Sequence, residues 1–301
     1  MSCVYPLTAY WCSPLRGSIT FDKNKSATKI PFKLPCGRCI GCRLEKARQW
    51  GLRCVHESKM WRHNVYVTLT YNDESLPPGG SLMLRDVQLF MKRLRFLKKS
   101  SKDNPLRFFL GGEYGEFNFR PHYHALLFNC ELTDLVFYTY NKRGEPLYTS
   151  KELTDCWQLG HVTVGAVTFD SAVYCAKYAL KKVNGEHAKS HYCVYDADGL
   201  VFDRSPEFAV MSRRPGIGAM YYEKYGEEIR NHDNVIVAGK PSRPARFYDE
   251  RSELRDSAMF ALIKKKRKRL SVLARDDNTE ERLRVKEKLM ITAAIKKERV
   301  L

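Results

Sequence analysis

Between Trp61 and Lys182 the spacing of apolar residues switches repeatedly between a period of two and a period near four. That order of elements limits the fold more than any other feature of the chain. Asn64-Val-Tyr-Val-Thr-Leu-Thr-Tyr71 alternates and is rich in β-branched and aromatic residues, which predicts a strand. Residues 85–99 place Val87, Phe90, Met91, Leu94 and Leu97 at helical spacing, with Lys and Arg on the opposite face. Strands are expected at 106–114 and 122–129, a short helix at 153–157, a strand at 161–164 and a helix at 171–182. The order β-α-β-β-α-β-α predicts an α+β fold: a central antiparallel sheet flanked by helices, as in a ferredoxin-like sandwich.

The flanks read differently. Residues 1–41 look irregular apart from a knot of cysteines, and a basic helix is expected over 42–60. Residues 194–202 suit a hairpin turning at Asp198-Gly199, and from Ser257 onward the chain reads as a charged helical extension opening on Lys264-Lys-Lys-Arg-Lys-Arg269. The net charge of +18 calls for a polyanionic partner, nucleic acid first and an anionic membrane surface second. No apolar run approaches the roughly 18 residues of a membrane span, and no secretory signal is expected, so the ten cysteines read as a reduced inventory for metal or packing.

Arg120-Pro-His122-Tyr-His124 is the most informative stretch. Side chains alternate along a strand, so His122 and His124 share a face and can hold one divalent cation. Glu113, on the preceding strand, comes opposite the pair across a hairpin; Glu116 competes with it as third ligand, and Glu113 is preferred as lying farther inside the strand. Two imidazoles and a carboxylate leave coordination positions open, as a Lewis-acid site needs. Two histidines satisfied by backbone and water would be the plain alternative.

Tyr174 and Tyr178 are i, i+4 neighbours on the helix at 171–182, with Lys177, Lys181 and Lys182 around them as DNA-phosphate contacts. A phenol can attack a phosphodiester when a metal polarises the phosphate and cations hold the strand. The same pair could simply pack on the sheet. Cys36-Gly-Arg-Cys39-Ile-Gly-Cys42 offers three thiolates ahead of a helix N-terminus, and either Cys3 or Cys12 could complete a tetrahedral zinc site. Basic residues at Arg85, Lys92, Arg93, Arg95, Lys98 and Lys99 would neutralise phosphates.

Taken together and in this order, Val65-Tyr-Val-Thr-Leu-Thr-Tyr71, His122-Tyr-His124 and Tyr174-x-x-x-Tyr178 resemble the motifs of the HUH endonucleases that start rolling-circle replication. The two-tyrosine form resembles the phage-type class, and the Cys36–Arg43 stretch is similar to the replication initiators of gokushoviruses, small single-stranded DNA phages of the Microviridae. The resemblance implies three parts: a Cys-rich segment and basic helix over 1–60, an endonuclease domain over 61–230, and a basic helical extension over 231–301. It implies origin-specific nicking by a tyrosine, with Mg²⁺ or Mn²⁺ on His122, His124 and Glu113. That step leaves a 5′-phosphotyrosine and a 3′-OH primer, and the second tyrosine then joins the displaced strand. The partners implied are single-stranded and supercoiled viral origin DNA with host polymerase and helicase, in the bacterial host cytoplasm and away from membranes. No Walker-type G-x-x-x-x-G-K-[ST] is present, so the chain is not expected to unwind DNA itself. The rival readings are a non-catalytic binder of single-stranded nucleic acid on the same kind of sheet, and an HUH transposase or relaxase.

Overall fold

The computed structural model describes residues 2–14, 17–115, 118–178, 187–195 and 199–300. They divide into two compact units, residues 1–46 with 262–301 and residues 47–261. This differs from three consecutive segments, because the two ends of the chain fold with each other, a pairing no local pattern reveals.

In the first unit β1 (Leu7–Trp11) pairs antiparallel with β2 (Ile19–Thr20) on one side and β3 (Phe32–Leu34) on the other. The expectation of irregular chain here is corrected: strands of two to five residues are too short for alternation to be read, and a Trp11–Phe32 ring stack at 4.8 Å replaces a longer ladder. Helix α1 (Ile40–Ser58) begins in this unit and continues into the second.

The second unit is built on one sheet. Its strands are β4 (Asn64–Thr70), β5 (Arg107–Tyr114), β6 (Pro121–Phe128), β7 (Val136–Tyr140), β8 (Pro146–Thr149) and β9 (Val162–Ala166), with α2 (Leu84–Leu97) after β4, α3 (Lys151–Trp157) after β8 and α4 (Phe169–Tyr178) after β9. Helix α5 (His187–Tyr192), the hairpin β10 (Cys193–Tyr195) and β11 (Val201–Asp203), and β12 (Phe208–Met211) follow. The sheet runs β12-β5-β6-β4-β9-β8-β7, with every neighbouring pair antiparallel. Numbered by appearance, β4, β5, β6 and β9 stand in the order 2-3-1-4, the split βαβ arrangement that the element order predicts.

Parity along the strands decides what each face does. Val67, Leu69, Tyr123, Ala125 and Leu127 point to the face where α2 lays Val87, Phe90, Met91 and Leu94 and α3 lays Leu153 and Trp157. Burying each such side chain is worth about 1.5–3 kcal/mol. The opposite face carries Phe109, Leu126 and Phe128 under Ala47 and Cys54 of α1 and Ala172, Cys175 and Ala176 of α4. Ser150 caps α3 by accepting from the Leu153 N–H, and Gly160 then lets the chain return to β4: a Cβ there would lie 2.4 Å from the Thr70 carbonyl oxygen.

The hairpin β7–β8 is an addition that the alternation does not predict. All five residues of β7 are exposed, so no burial pattern exists to read. The 194–202 hairpin is present, with Val194 opposite Phe202; its turn residue Asp198 lies outside the described residues. Beyond it come α6 (Ala219–His232), the pair β13 (Val235–Val237) and β14 (Lys240–Ser242), and α7 (Arg246–Arg255). The helical tail is α8 (Ser257–Leu273) and α9 (Glu280–Val300). Among the described residues no helix is long and apolar enough to cross a membrane.

Candidate active site and metal-ligand clusters

The same parity that sends Phe109 and Leu126 into the core sends Glu113 and His122 into a site at the end of that face. In the β5–β6 register Glu113 stands opposite His122 and Gly111 opposite His124, so two strands deliver three ligands to one place. Glu113 Oε1 lies 2.8 Å from His122 Nε2 and 3.0 Å from His124 Nε2. The ligand atoms all fall within 4.8 Å of one another. Glu113 is 2% exposed and His124 5%. Burial raises the pKa of the Glu113 carboxyl, but the hydrogen bonds from both histidines outweigh it and hold the group below the ordinary carboxylate range.

Each imidazole is oriented from its far side. His122 Nδ1 lies 3.1 Å from the Arg120 carbonyl oxygen, which can only accept, so Nδ1 carries the proton and Nε2 is left for the cluster. His124 Nδ1 lies 2.6 Å from Tyr66 Oη and 3.2 Å from Thr68 Oγ1. Burial pushes the Tyr66 phenol well above its ordinary pKa, so it stays a neutral hydroxyl. Two nitrogens and a carboxylate oxygen held this way suit a divalent ion of the Mg²⁺/Mn²⁺ type, with coordination positions to spare.

Tyr174 of α4 is half-buried, and its ring meets that of His124 edge-on at 5.1 Å. Cys175, the next residue, anchors the helix by donating from its thiol to the His124 carbonyl oxygen at 3.1 Å. Lys177 lies one turn further along and is half-buried. Tyr178 closes α4; its side chain, and Lys181, Lys182 and the rival acid Glu116, lie outside the described residues.

Tyr66 and Thr68 were not singled out from the sequence, although the parity of β4 places Tyr66, Thr68 and Thr70 on the face of the histidines. Thr68 pairs with both His124 and Thr163, and Thr70 with His122, while the Thr70 and His161 backbones exchange two hydrogen bonds of 3.0 Å. A polar row therefore runs from the cluster across β4 to β9.

In the first unit Cys3 joins Cys36, Cys39 and Cys42, with all four sulfurs within 4.8 Å of one another; Cys12 is outside this group. The ten cysteines are free thiols. Burial raises the pKa of Cys3 and Cys42. Cys39 is also raised by burial, but hydrogen bonds from the Val4 and Cys42 backbone and from the neighbouring thiols prevail and bring it down to about 6.

Residues 64–183 match the model of a family of replication-associated proteins, the ORF2 type. The chain is 35% identical over 256 residues to replication-associated protein VP4 of Bdellovibrio phage phiMH2K, covering 83% of this chain and 76% of the relative. It is 31% identical over 262 residues to replication-associated protein ORF2 of Spiroplasma virus 4, covering 83% and 78%. It is 28% identical over 170 residues to replication-associated protein ORF4 of Chlamydia phage 1, covering 54% and 42%. No solved structure matches at a significant level. The chain belongs to the phage replication-associated proteins, and within them to the gokushovirus type.

Proposed function

We propose that this protein initiates replication of its phage genome as an HUH endonuclease and strand transferase, cutting one DNA strand at the origin with a tyrosine and later rejoining it. The observation that carries the reading is the Tyr174 ring lying against His124, itself within hydrogen-bond reach of Glu113 along with His122. A nucleophile and a cation cradle are thus placed side by side.

Mg²⁺ or Mn²⁺ held by Glu113, His122 and His124 would supply Lewis-acid polarisation of the scissile phosphate. The Tyr174 phenol oxygen attacks phosphorus, the P–O3′ bond breaks as the P–Oη bond forms, and the departing O3′ takes up a proton. The products are a 5′-phosphotyrosine and a free 3′-OH, and because one ester replaces another the bond energy is retained for joining. The 3′-OH primes a host polymerase, and a host helicase opens the duplex. Tyr178, four residues along α4, serves as the second nucleophile when the origin is regenerated. Lys177, with Lys181 and Lys182, holds the strand by its phosphates, and the overall charge of +18 supplies the wider attraction.

Incubating the full chain with an origin-bearing oligonucleotide and Mn²⁺, then separating under denaturing conditions, tests the proposal. A protein–DNA adduct that survives denaturation is expected. DNA binding without any adduct would instead leave a non-catalytic nucleic-acid binder.

A further inference from the structure

The catalytic proposal makes no use of the thiols of the first unit, yet they are the most tightly organised group in it. Cys39 Sγ lies 3.8 Å from Cys3 Sγ. Four sulfurs at about 2.3 Å from a tetrahedral zinc lie about 3.8 Å apart along each edge, so this separation is that of a loaded cage. It is far longer than the roughly 2.05 Å of a disulfide. Backbone N–H groups already point at the sulfurs: Cys36 N donates to Cys3 Sγ at 3.2 Å and Cys39 N to Cys36 Sγ at 3.3 Å. Such donors stabilise thiolates, the form that binds metal.

The surroundings show what the cage would do. None of the three hydrophobic clusters found among the described residues includes a residue of the first unit. Instead the chain's N-terminal arm is stitched locally. The Tyr5 hydroxyl donates to Glu287 of α9 at 2.7 Å, and Arg284 of α9 donates to the Val4 carbonyl oxygen at 3.1 Å while lying over the Tyr5 ring. At Gly41 the arm passes so close to α1 that a Cβ would lie 1.7 Å from the Ser2 carbonyl oxygen. A unit of this size without a core of its own needs a covalent or metal staple.

We propose that Cys3, Cys36, Cys39 and Cys42 form a closed tetrathiolate site for one Zn²⁺, separate from the catalytic centre, and that this ion is the folding core of the unit made from the two chain ends. Four thiolates select a soft or borderline ion over Mg²⁺ or Mn²⁺, and with no coordination position left the site is structural. Cys3, not Cys12, closes it, which ties the second residue after the chain start to the first turn of α1 and, through Tyr5 and Arg284, to α9.

The experiment uses the intact wild-type chain purified without chelator. Metal analysis is expected to give about one zinc per chain. Alkylation followed by peptide mapping should find Cys3, Cys36, Cys39 and Cys42 protected while zinc is bound and modified after strong chelation, with Cys12 reactive in both states. Limited proteolysis should then cut within residues 262–301 only after chelation. Replacement by Co²⁺ should give the visible absorption and intense sulfur-to-metal charge transfer of tetrahedral cobalt thiolate, reduced in Cys3→Ser and unchanged in Cys12→Ser and in His122→Ala. Zinc absent from protein whose four thiols are all reactive would overturn the proposal, as would a Cys3–Cys39 disulfide or a cobalt spectrum lost in Cys12→Ser and kept in Cys3→Ser. Because none of these readouts involves DNA cleavage, failure here leaves the nuclease reading untouched, and the reverse holds.

Discussion

Tyr66 Oη lies 2.6 Å from His124 Nδ1, and the two rings lie nearly parallel, 5.7 Å between centroids and 9° between planes. The phenol thus fixes both the rotation of the imidazole and the atom it turns toward Glu113. Tyr66→Phe keeps the ring and removes the hydroxyl, leaving Thr68 Oγ1 at 3.2 Å as the remaining neighbour of Nδ1. Loss of such a second partner typically weakens metal binding about 10–100-fold. The Mn²⁺ concentration for half-maximal nicking should rise by that order, with unchanged circular dichroism. An unchanged Mn²⁺ requirement would mean that Tyr66 only packs.

The ligands themselves should separate cleavage from binding. His122→Ala, His124→Ala and Glu113→Gln should each lose adduct formation by at least about 100-fold while keeping most affinity for single-stranded DNA, because phosphate contacts elsewhere dominate binding. Gel shift and denaturing gel on the same samples read the two quantities. Normal cutting by any of the three would remove that residue from the ligand set.

Much of this site was legible before the fold was known, and for a definite reason. His122 and His124 are two apart on one strand, and Glu113 is held by a short hairpin, so local periodicity alone brings them together. Tyr66 was equally readable by parity but drew no attention, because a strand tyrosine looks like packing. What local pattern could not supply was long-range: Cys3 rather than Cys12 beside Cys36, α9 against the residues that follow Cys3, and β12 on the far edge next to β5. The β7–β8 hairpin escaped for the opposite reason, since residues exposed on both faces carry no period.

The two tyrosines should be individually replaceable and jointly essential. Tyr174→Phe and Tyr178→Phe should each still form an adduct on a short oligonucleotide, at unequal rates, while the double variant forms none; closed circles should need both. If Tyr174→Phe alone abolishes every adduct and Tyr178→Phe changes only thermal stability, there is a single nucleophile.

Stability should also carry a pH signature from a residue remote from the chemistry. His56 is 1% exposed, stacks on Tyr221 at 3.8 Å and lies with Nδ1 2.9 Å from Tyr248 Oη. Burial, with the nearby Lys59 charge, pushes its pKa from 6.5 down to about 3. Between those values the unfolded chain binds a proton that the native one does not. Its contribution is therefore complete above pH 6.5 and is lost as pH falls toward 3, at about 1.4 kcal/mol per unit. Urea unfolding of wild type and His56→Gln across pH 4–7 should show a shallower slope in the variant. Parallel slopes would place the titration elsewhere.

The most direct test of the central claim is to identify the residue that carries the DNA. Wild-type protein is reacted with an origin oligonucleotide in Mn²⁺ and digested, and the nucleotide-bearing peptides are sequenced by mass spectrometry. The account predicts a phosphodiester on the α4 peptide, at Tyr174 or Tyr178, absent when excess EDTA is present from the start. An adduct formed equally in EDTA, or carried by a tyrosine outside α4, would contradict it.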